Sequence, residues 1–179
     1  MNINTIIVDD FLDNPDIVRN SALQIDINRT GAYPGYRSDR ADYEYEGYIK
    51  EKIEKVINSA IKEWKQDSFQ FQICFEDDTT WIHHDETEWA GILYLTPNAP
   101  VGSGTGIYRH KETGKYFGPG DENYRDDTLW EPITAIGNVY NRLALYKGQM
   151  YHRSIIPGFG HTNETGRLTQ VFFFNTYEA

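Results

Sequence analysis

The chain has 179 residues, a formal net charge of −10 and a pI near 4.9; 39% of its residues are hydrophobic and 15% aromatic. That length suits one domain with a real core, expected over residues 1–179, and the aromatic content is the reverse of what a disordered chain carries. With 17 basic residues against 27 acidic ones and no basic patch, the chain meets a Coulomb penalty near phosphate, which disfavours a nucleic-acid partner.

The first segment, Asn2–Asp9, holds Ile3, Ile6, Ile7 and Val8 and reads as an opening strand. Asn14, Pro15 and Asp16 then mark a helix start, with Asn14 as N-cap and Pro15 at the first helical position, running to about Leu23. Residues 25–45 carry Gly31, Pro34 and Gly35 among Tyr33, Tyr36, Arg37 and Arg40. They read as an ordered loop, with Tyr36 and Arg37 as candidate substrate contacts on the rim of a pocket. Ile49, Ile53, Val56, Ile57, Ala60, Ile61 and Trp64 share one helical face and predict a helix backing a sheet. From Ser68 the pattern turns to short strands, expected at 68–75, 80–85, 89–96, 104–110, 134–139, 142–147, 150–154 and 167–175. Residues 111–133, with Gly114, Gly118, Pro119, Gly120 and Pro132, read as a long loop over one end. Arg109 and Trp130, on or near it, are further candidate substrate contacts.

Cys74 is the lone cysteine, so neither a disulfide framework nor a cysteine-rich zinc site is available. It is expected to be inert packing. No apolar run is long enough to span a membrane, and the N-terminal residues lack the pattern of a secretory signal. The cytoplasm is the expected compartment.

Five histidines are present: His83, His84, His110, His152 and His161. Acidic residues are common here, so a single His-x-Asp or His-x-Glu pair carries little weight. Strand geometry sharpens the reading. Residues i and i+2 point to one face about 7 Å apart, so His83 and Asp85 can converge on one metal ion, while His84 and Glu86 point the other way. Both faces carry an apolar residue, Trp81 or Ile82, so periodicity alone leaves the register open; the shorter carboxylate of Asp85 favours the first pair. His110 and His161 sit beside polar turn residues and read as solvent-facing.

At the far end, Arg167, Thr169, Val171 and Phe173 share one strand face. If that face points inward, a guanidinium enters an apolar interior with no acid of its own strand beside it. A buried cation requires an anion, and a planar fork suits a carboxylate. His152, from a third segment, would complete a two-histidine, one-carboxylate metal site with open positions.

The ordered set His83-x-Asp85, His152 and Arg167-x-Thr169 resembles the 2-oxoglutarate/Fe(II)-dependent oxygenase superfamily. Gly91–Leu95 and Arg167–Phe174 are most similar to its prolyl-hydroxylase-like branch. Asp9–Pro15 and Tyr33–Ser38 resemble a poorly characterised bacterial and phage subgroup. The resemblance implies a mainly β fold with N-terminal helices: a double-stranded β-helix (a cupin-like jelly roll) with backing helices. It implies that His83, Asp85 and His152 ligate Fe(II), and that Arg167 and Thr169 hold 2-oxoglutarate. With O2, such a centre hydroxylates an unactivated C–H and releases succinate and CO2. The substrate could be a peptide side chain or a small metabolite. Two positions depart from the family pattern. Leu93 stands where some relatives use a co-substrate Tyr, and the adjacent Tyr94 is expected to face away. Gly104-Thr105-Gly106 replaces a Gly-Gly pair. Two competing readings are a non-catalytic jelly-roll binding module and a cupin-like metalloenzyme without 2-oxoglutarate; Arg167-x-Thr169 has no evident task in the second.

Overall fold

Apolar residues recur with helical spacing over two short stretches and with strand spacing over most of the rest, and the computed structural model follows that division. It describes residues 3–41, 43–120 and 123–177. In chain order the elements are β1 (Thr5–Val8), α1 (Pro15–Ala22), β2 (Ile27–Arg29), β3 (Tyr36–Arg40), α2 (Tyr43–Ile57), β4 (Ile61–Trp64), β5 (Gln70–Cys74) and β6 (Trp89–Tyr94). They continue with β7 (Thr105–His110), β8 (Trp130–Ile136), β9 (Leu143–Lys147), β10 (His152–Ser154) and β11 (Arg167–Thr176).

The strands form two antiparallel sheets. The larger runs β1-β9-β6-β11-β5-β3-β2, with β4 also pairing the end of β11. The smaller runs β10-β7-β8. It is extended by a reciprocal backbone pair in which His83 N–H donates to His152 O (3.0 Å) and His152 N–H to His83 O (2.8 Å). Facing sheets of this kind, with two helices on the outside of the larger one, make the double-stranded β-helix that the sequence resemblance implied.

Alternation along β11 sets the layers. Leu168, Phe172 and Phe174 join Leu93, Leu143 and Leu145 on the outer face. There they bury Ile49 and Ile53 of α2 and Ala22 of α1. Trp64 and Phe69 meet Phe172 and Phe174 in edge-to-face and tilted contacts, with centroids 4.7–6.3 Å apart across the cluster. The segment Asp9–Pro15 is pinned to this scaffold. Asn141 accepts from Leu12 N–H (2.8 Å) and donates to Leu12 O (2.9 Å), and Arg142 grips both Asp9 carboxylate oxygens. That stretch serves the fold, and Phe11 and Leu12 are core residues.

Four segments differ from the sequence expectation. Residues 25–45 are not all loop: β2 and β3 lie within them and add to the edge of the larger sheet. The second helix stops at Ile57, because Asn58 takes a left-handed conformation (φ 51°) and the chain turns. Ile61 and Trp64 fit a helical face and also a strand, and pairing with β11 decides for the strand. Residues 80–85 form no regular strand beyond the His83–His152 bridge. The long loop closes earlier than expected, since β8 begins at Trp130 and pairs with β7. Among the described residues no helix is long and apolar enough to cross a membrane.

Candidate active site

Two short segments meet between the sheets. His152 is the first residue of β10, His83 pairs with it across the backbone bridge, and the chain then carries Asp85 to the same point, its N–H donating to Gly148 O (2.8 Å). The ligand atoms of His83, Asp85 and His152 all lie within 4.8 Å of one another. The two imidazole centroids are 4.3 Å apart, and the Tyr146 ring packs 4.6 Å from that of His152.

The imidazoles are set in one tautomer. His83 Nδ1 lies 3.1 Å from Trp81 O and His152 Nδ1 lies 2.7 Å from Met150 O. A carbonyl only accepts, so each Nδ1 donates its hydrogen there and each Nε2 faces the shared point. Burial, then the neighbouring His152, push the His83 imidazole down to about 4, so it is neutral at pH 7. Burial opposes ionisation of Asp85, but the contact with His152 outweighs it and holds the carboxyl below its ordinary value. That contact, Asp85 Oδ2 to His152 Nε2 at 3.4 Å, is electrostatic without hydrogen-bond geometry, and Oδ2 is a buried oxygen with no hydrogen-bond partner. Two imidazole Nε2 atoms and a partnerless carboxylate oxygen gathered on one spot are a donor set for a divalent cation such as Fe(II).

A cavity of 390 Å³ extends from these residues along the inner face of the larger sheet. Arg167 opens β11 on that face and is 2% exposed. Its Nε donates to Ser103 O (2.9 Å), but Nη2 is buried with no partner. Among the described residues no carboxylate is in ion-pair contact with it. A guanidinium left so costs several kcal/mol unless an anion enters, by the order of magnitude for buried unpaired charge (~3–5 kcal/mol). Thr169, across the row from Tyr94 on β6 and Gln72 on β5, lines the same wall.

Tyr94 corrects one expectation. It points inward: its hydroxyl is 2.8 Å from Thr105 Oγ1 and its ring lies 5.6 Å from the Arg167 guanidinium carbon. Leu93 is the neighbour that faces out, into the helix-backed core. Register explains this, because Tyr94 is opposite Thr169 and opposed residues of antiparallel strands share a face. The signal was in the sequence only through β11, and required knowing which strand β6 pairs with.

Of the four candidate substrate contacts, Arg37 lines the cavity. Tyr36, next in the alternation, faces outward against Phe75 (centroids 6.2 Å apart). Arg109 is exposed at the far end of β7, paired with Glu131 (2.6 Å). Trp130 is buried in a separate cluster with Tyr151, Tyr108 and Ile82. His110, expected in solvent, is buried edge-on against Trp130, 5.1 Å between centroids. His161 is exposed as expected. Tyr33 and Pro34, from the segment expected to form a pocket rim, line the cavity, and sequence reasoning missed Thr105 and Tyr146 as lining residues.

No protein-family model matches the chain, and a search of curated proteins finds no match. Solved structures do match. HygX from Streptomyces hygroscopicus, solved with nickel and 2-oxoglutarate, superposes with a TM-score of 0.65 at 9% identity, covering 96% of this chain and 82% of that one. A further HygX structure also holds hygromycin B (TM-score 0.66, 8% identity, 96% and 82% covered). A Pseudomonas putida prolyl-4-hydroxylase gives 0.56 at 13% identity, covering 98% and 94%. The non-heme alpha-ketoglutarate-dependent epimerase SnoN from nogalamycin biosynthesis gives 0.59 at 15% identity, covering 96% and 78%. The likeness establishes the fold over nearly the whole chain.

Proposed function

We propose that this chain is a 2-oxoglutarate- and Fe(II)-dependent dioxygenase that hydroxylates an unactivated C–H of a small molecule or peptide side chain. The observation that carries the reading is the pairing, within one cavity, of a three-residue metal donor set with a buried guanidinium that lacks an anion. The fold shared with HygX structures, one holding nickel and 2-oxoglutarate and another holding iron, supports it. A non-catalytic jelly-roll module explains the fold but leaves both features without a task. A metalloenzyme without 2-oxoglutarate leaves Arg167 unexplained.

His83, Asp85 and His152 would hold the iron, and Arg167 with Thr169 would hold the far carboxylate of 2-oxoglutarate. Iron with 2-oxoglutarate supplies the oxidising chemistry, in which O2, 2-oxoglutarate and a C–H yield succinate, CO2 and a C–OH. The protein's part is preparation. Trp81 O and Met150 O fix the two imidazoles, so neither ring has to turn before accepting a metal. Tyr146 packs against His152 and, with Ile92, Val171 and Phe173, gives the cavity an apolar wall. Ser103 O fixes the Arg167 fork through Nε and leaves its outer edge for a ligand.

The test is anaerobic addition of Fe(II) and 2-oxoglutarate to the metal-free protein. A visible charge-transfer band is expected in the wild type, abolished in His152→Ala and weakened in Arg167→Gln. Metal uptake without any effect of 2-oxoglutarate would return the reading to a metal-only enzyme; no metal uptake would end it.

A further inference from the structure

Arg37 is a second guanidinium on the cavity wall. It stands on β3 opposite Gln72, and Gln72 is opposite Thr169, so Arg37 occupies the same inner row as the Thr169–Tyr94 pair, one strand beyond it. The residue is 8% exposed. Three contacts fix it. Nε donates to Gln72 Oε1 (3.2 Å), and Gln72 is itself held by donation from Nε2 to Pro34 O (2.7 Å). The Tyr33 ring lies 4.1 Å from the guanidinium carbon and the Phe173 ring 5.6 Å. Among the described residues no acceptor meets its terminal nitrogens.

Charge on the wall singles it out. Four cations line the cavity: Arg37, Lys65, Arg153 and Arg167. Lys65 is paired with Glu63 (2.8 Å) and Arg153 with Asp127 (2.6 Å). Arg167 is assigned to the co-substrate. Asp67 and Asp85 act on Arg37 only from beyond ion-pair contact, and Asp67 is exposed. Burial lowers the pKa of Arg37, a sign that its charge is poorly compensated by the protein. A desolvated, immobilised fork with its outer edge unpaired is built to take a carboxylate in two parallel hydrogen bonds. Gly35 supports the arrangement from behind: at φ 64° a Cβ there would lie 2.1 Å from Ile73 O, so this turn brings Tyr33 and Pro34 close over Arg37 only with glycine.

We propose that Arg37 is the anchor for the acid group of the prime substrate, and that this substrate is a small molecule bearing a carboxylate. The proposal rests on the oxygenase reading for the word substrate, but not for the binding itself. The cavity, at 390 Å³, lies at the low end of small-ligand sites, and the co-substrate takes part of it.

The test uses the full-length protein and probes in acid–amide pairs: acetate, butyrate, hexanoate and N-acetylglycine, each against its primary amide. Binding is read by calorimetry on metal-free protein and again with Fe(II) and 2-oxoglutarate present under anaerobic conditions. Wild type should favour at least one acid over its amide by about tenfold or more, the scale of a lost charge-assisted hydrogen bond. Arg37→Gln should erase that preference, leave amide binding unchanged and leave 2-oxoglutarate affinity within about twofold. Arg37→Lys should restore part of the acid preference, which a merely structural arginine would not do. Three results overturn the proposal: no acid preference anywhere in the panel, equal loss for acids and amides in Arg37→Gln, or loss of 2-oxoglutarate affinity as large as in Arg167→Gln. The last would move Arg37 into the co-substrate site. If 2-oxoglutarate fails to bind wild type while the acid preference still depends on Arg37, the oxygenase reading falls and the carboxylate site stands.

Discussion

On its outer face β11 carries Leu168, Gln170, Phe172 and Phe174; on its inner face, each one residue away, it carries Arg167, Thr169, Val171 and Phe173. The outer residues are closed off by helices and by Trp64 and Phe69, and their aromatic rings interlock. The inner ones border a cavity, and Arg167 among them has a buried nitrogen without a partner. One strand therefore serves as the main seam of the core and as a wall of the site. The outer face is arranged for stability. The inner face accepts a cost in stability, a desolvated cation, that a ligand can offset.

If the two faces are separate in this way, substitutions should divide cleanly between binding and stability. The largest effect is expected opposite the inner face, at Asp85. Asp85→Ala should lower Fe(II)-dependent succinate formation by about 100-fold or more, since residues that merely support a metal ligand already cost about 10–100-fold. Its melting transition should remain cooperative, so that the loss of turnover reads on the site and not on unfolding. Succinate release and a melting curve check both halves, and near-wild-type turnover would remove Asp85 from the ligand set.

Phe172→Ala comes next and tests the other face. The ring is fully buried, and its loss should cost about 3–5 kcal/mol in denaturant unfolding. Affinity for 2-oxoglutarate, measured while the variant is still folded, should be unchanged. A large loss of affinity in that folded variant would break the separation. Arg167→Gln should do the reverse, weakening 2-oxoglutarate by about tenfold or more while leaving the unfolding midpoint unchanged or raised. A marked drop in stability would mean that its bond to Ser103 O matters more than its free edge.

The smallest effect concerns pH, where β11 ends. Partial burial pushes the Glu88 carboxyl up, but the Thr176 hydroxyl and N–H and the Lys147 ammonium outweigh it, so it titrates at about 2 instead of 4.5. A carboxyl with a depressed folded value stabilises fully above 4.5 and loses that contribution as pH falls towards 2. Wild type should therefore lose unfolding free energy between pH 5 and 2.5 faster than Glu88→Gln. Parallel urea curves at the two pH values give the comparison, and equal slopes would show that this cluster is already open in solution.

Much of the candidate site was legible in the sequence because its residues are few, chemically distinct and ordered along the chain. His83, Asp85, His152, Arg167 and Thr169 all reach the one cavity. Alternation in β11 also showed which of its residues share a face, though not which face is inward. The pocket rim expected from residues 25–45 divides: Tyr33, Pro34 and Arg37 line the wall, with Tyr36 turned away. Strand alternation requires that split once the segment is a strand, and a loop reading could not predict it.

The sequence by itself determined the chemistry that can be offered: a two-histidine, one-carboxylate donor set, a cation without an acid beside it, and enough strand pattern for a β sandwich with helices outside. Tertiary structure alone decided which side chains meet. Pairing with β11 made Ile61–Trp64 a strand, and register against Thr169 turned Tyr94 inward. Pairing of β3 with β5 set Arg37 beside Gln72 on the cavity wall, and pairing of β7 with β8 drew Trp130 and His110 into a buried cluster. The reason is common to the last three. A strand's side chains alternate with a period of two, so local sequence fixes which residues share a face, and only the partner strand fixes which face looks in.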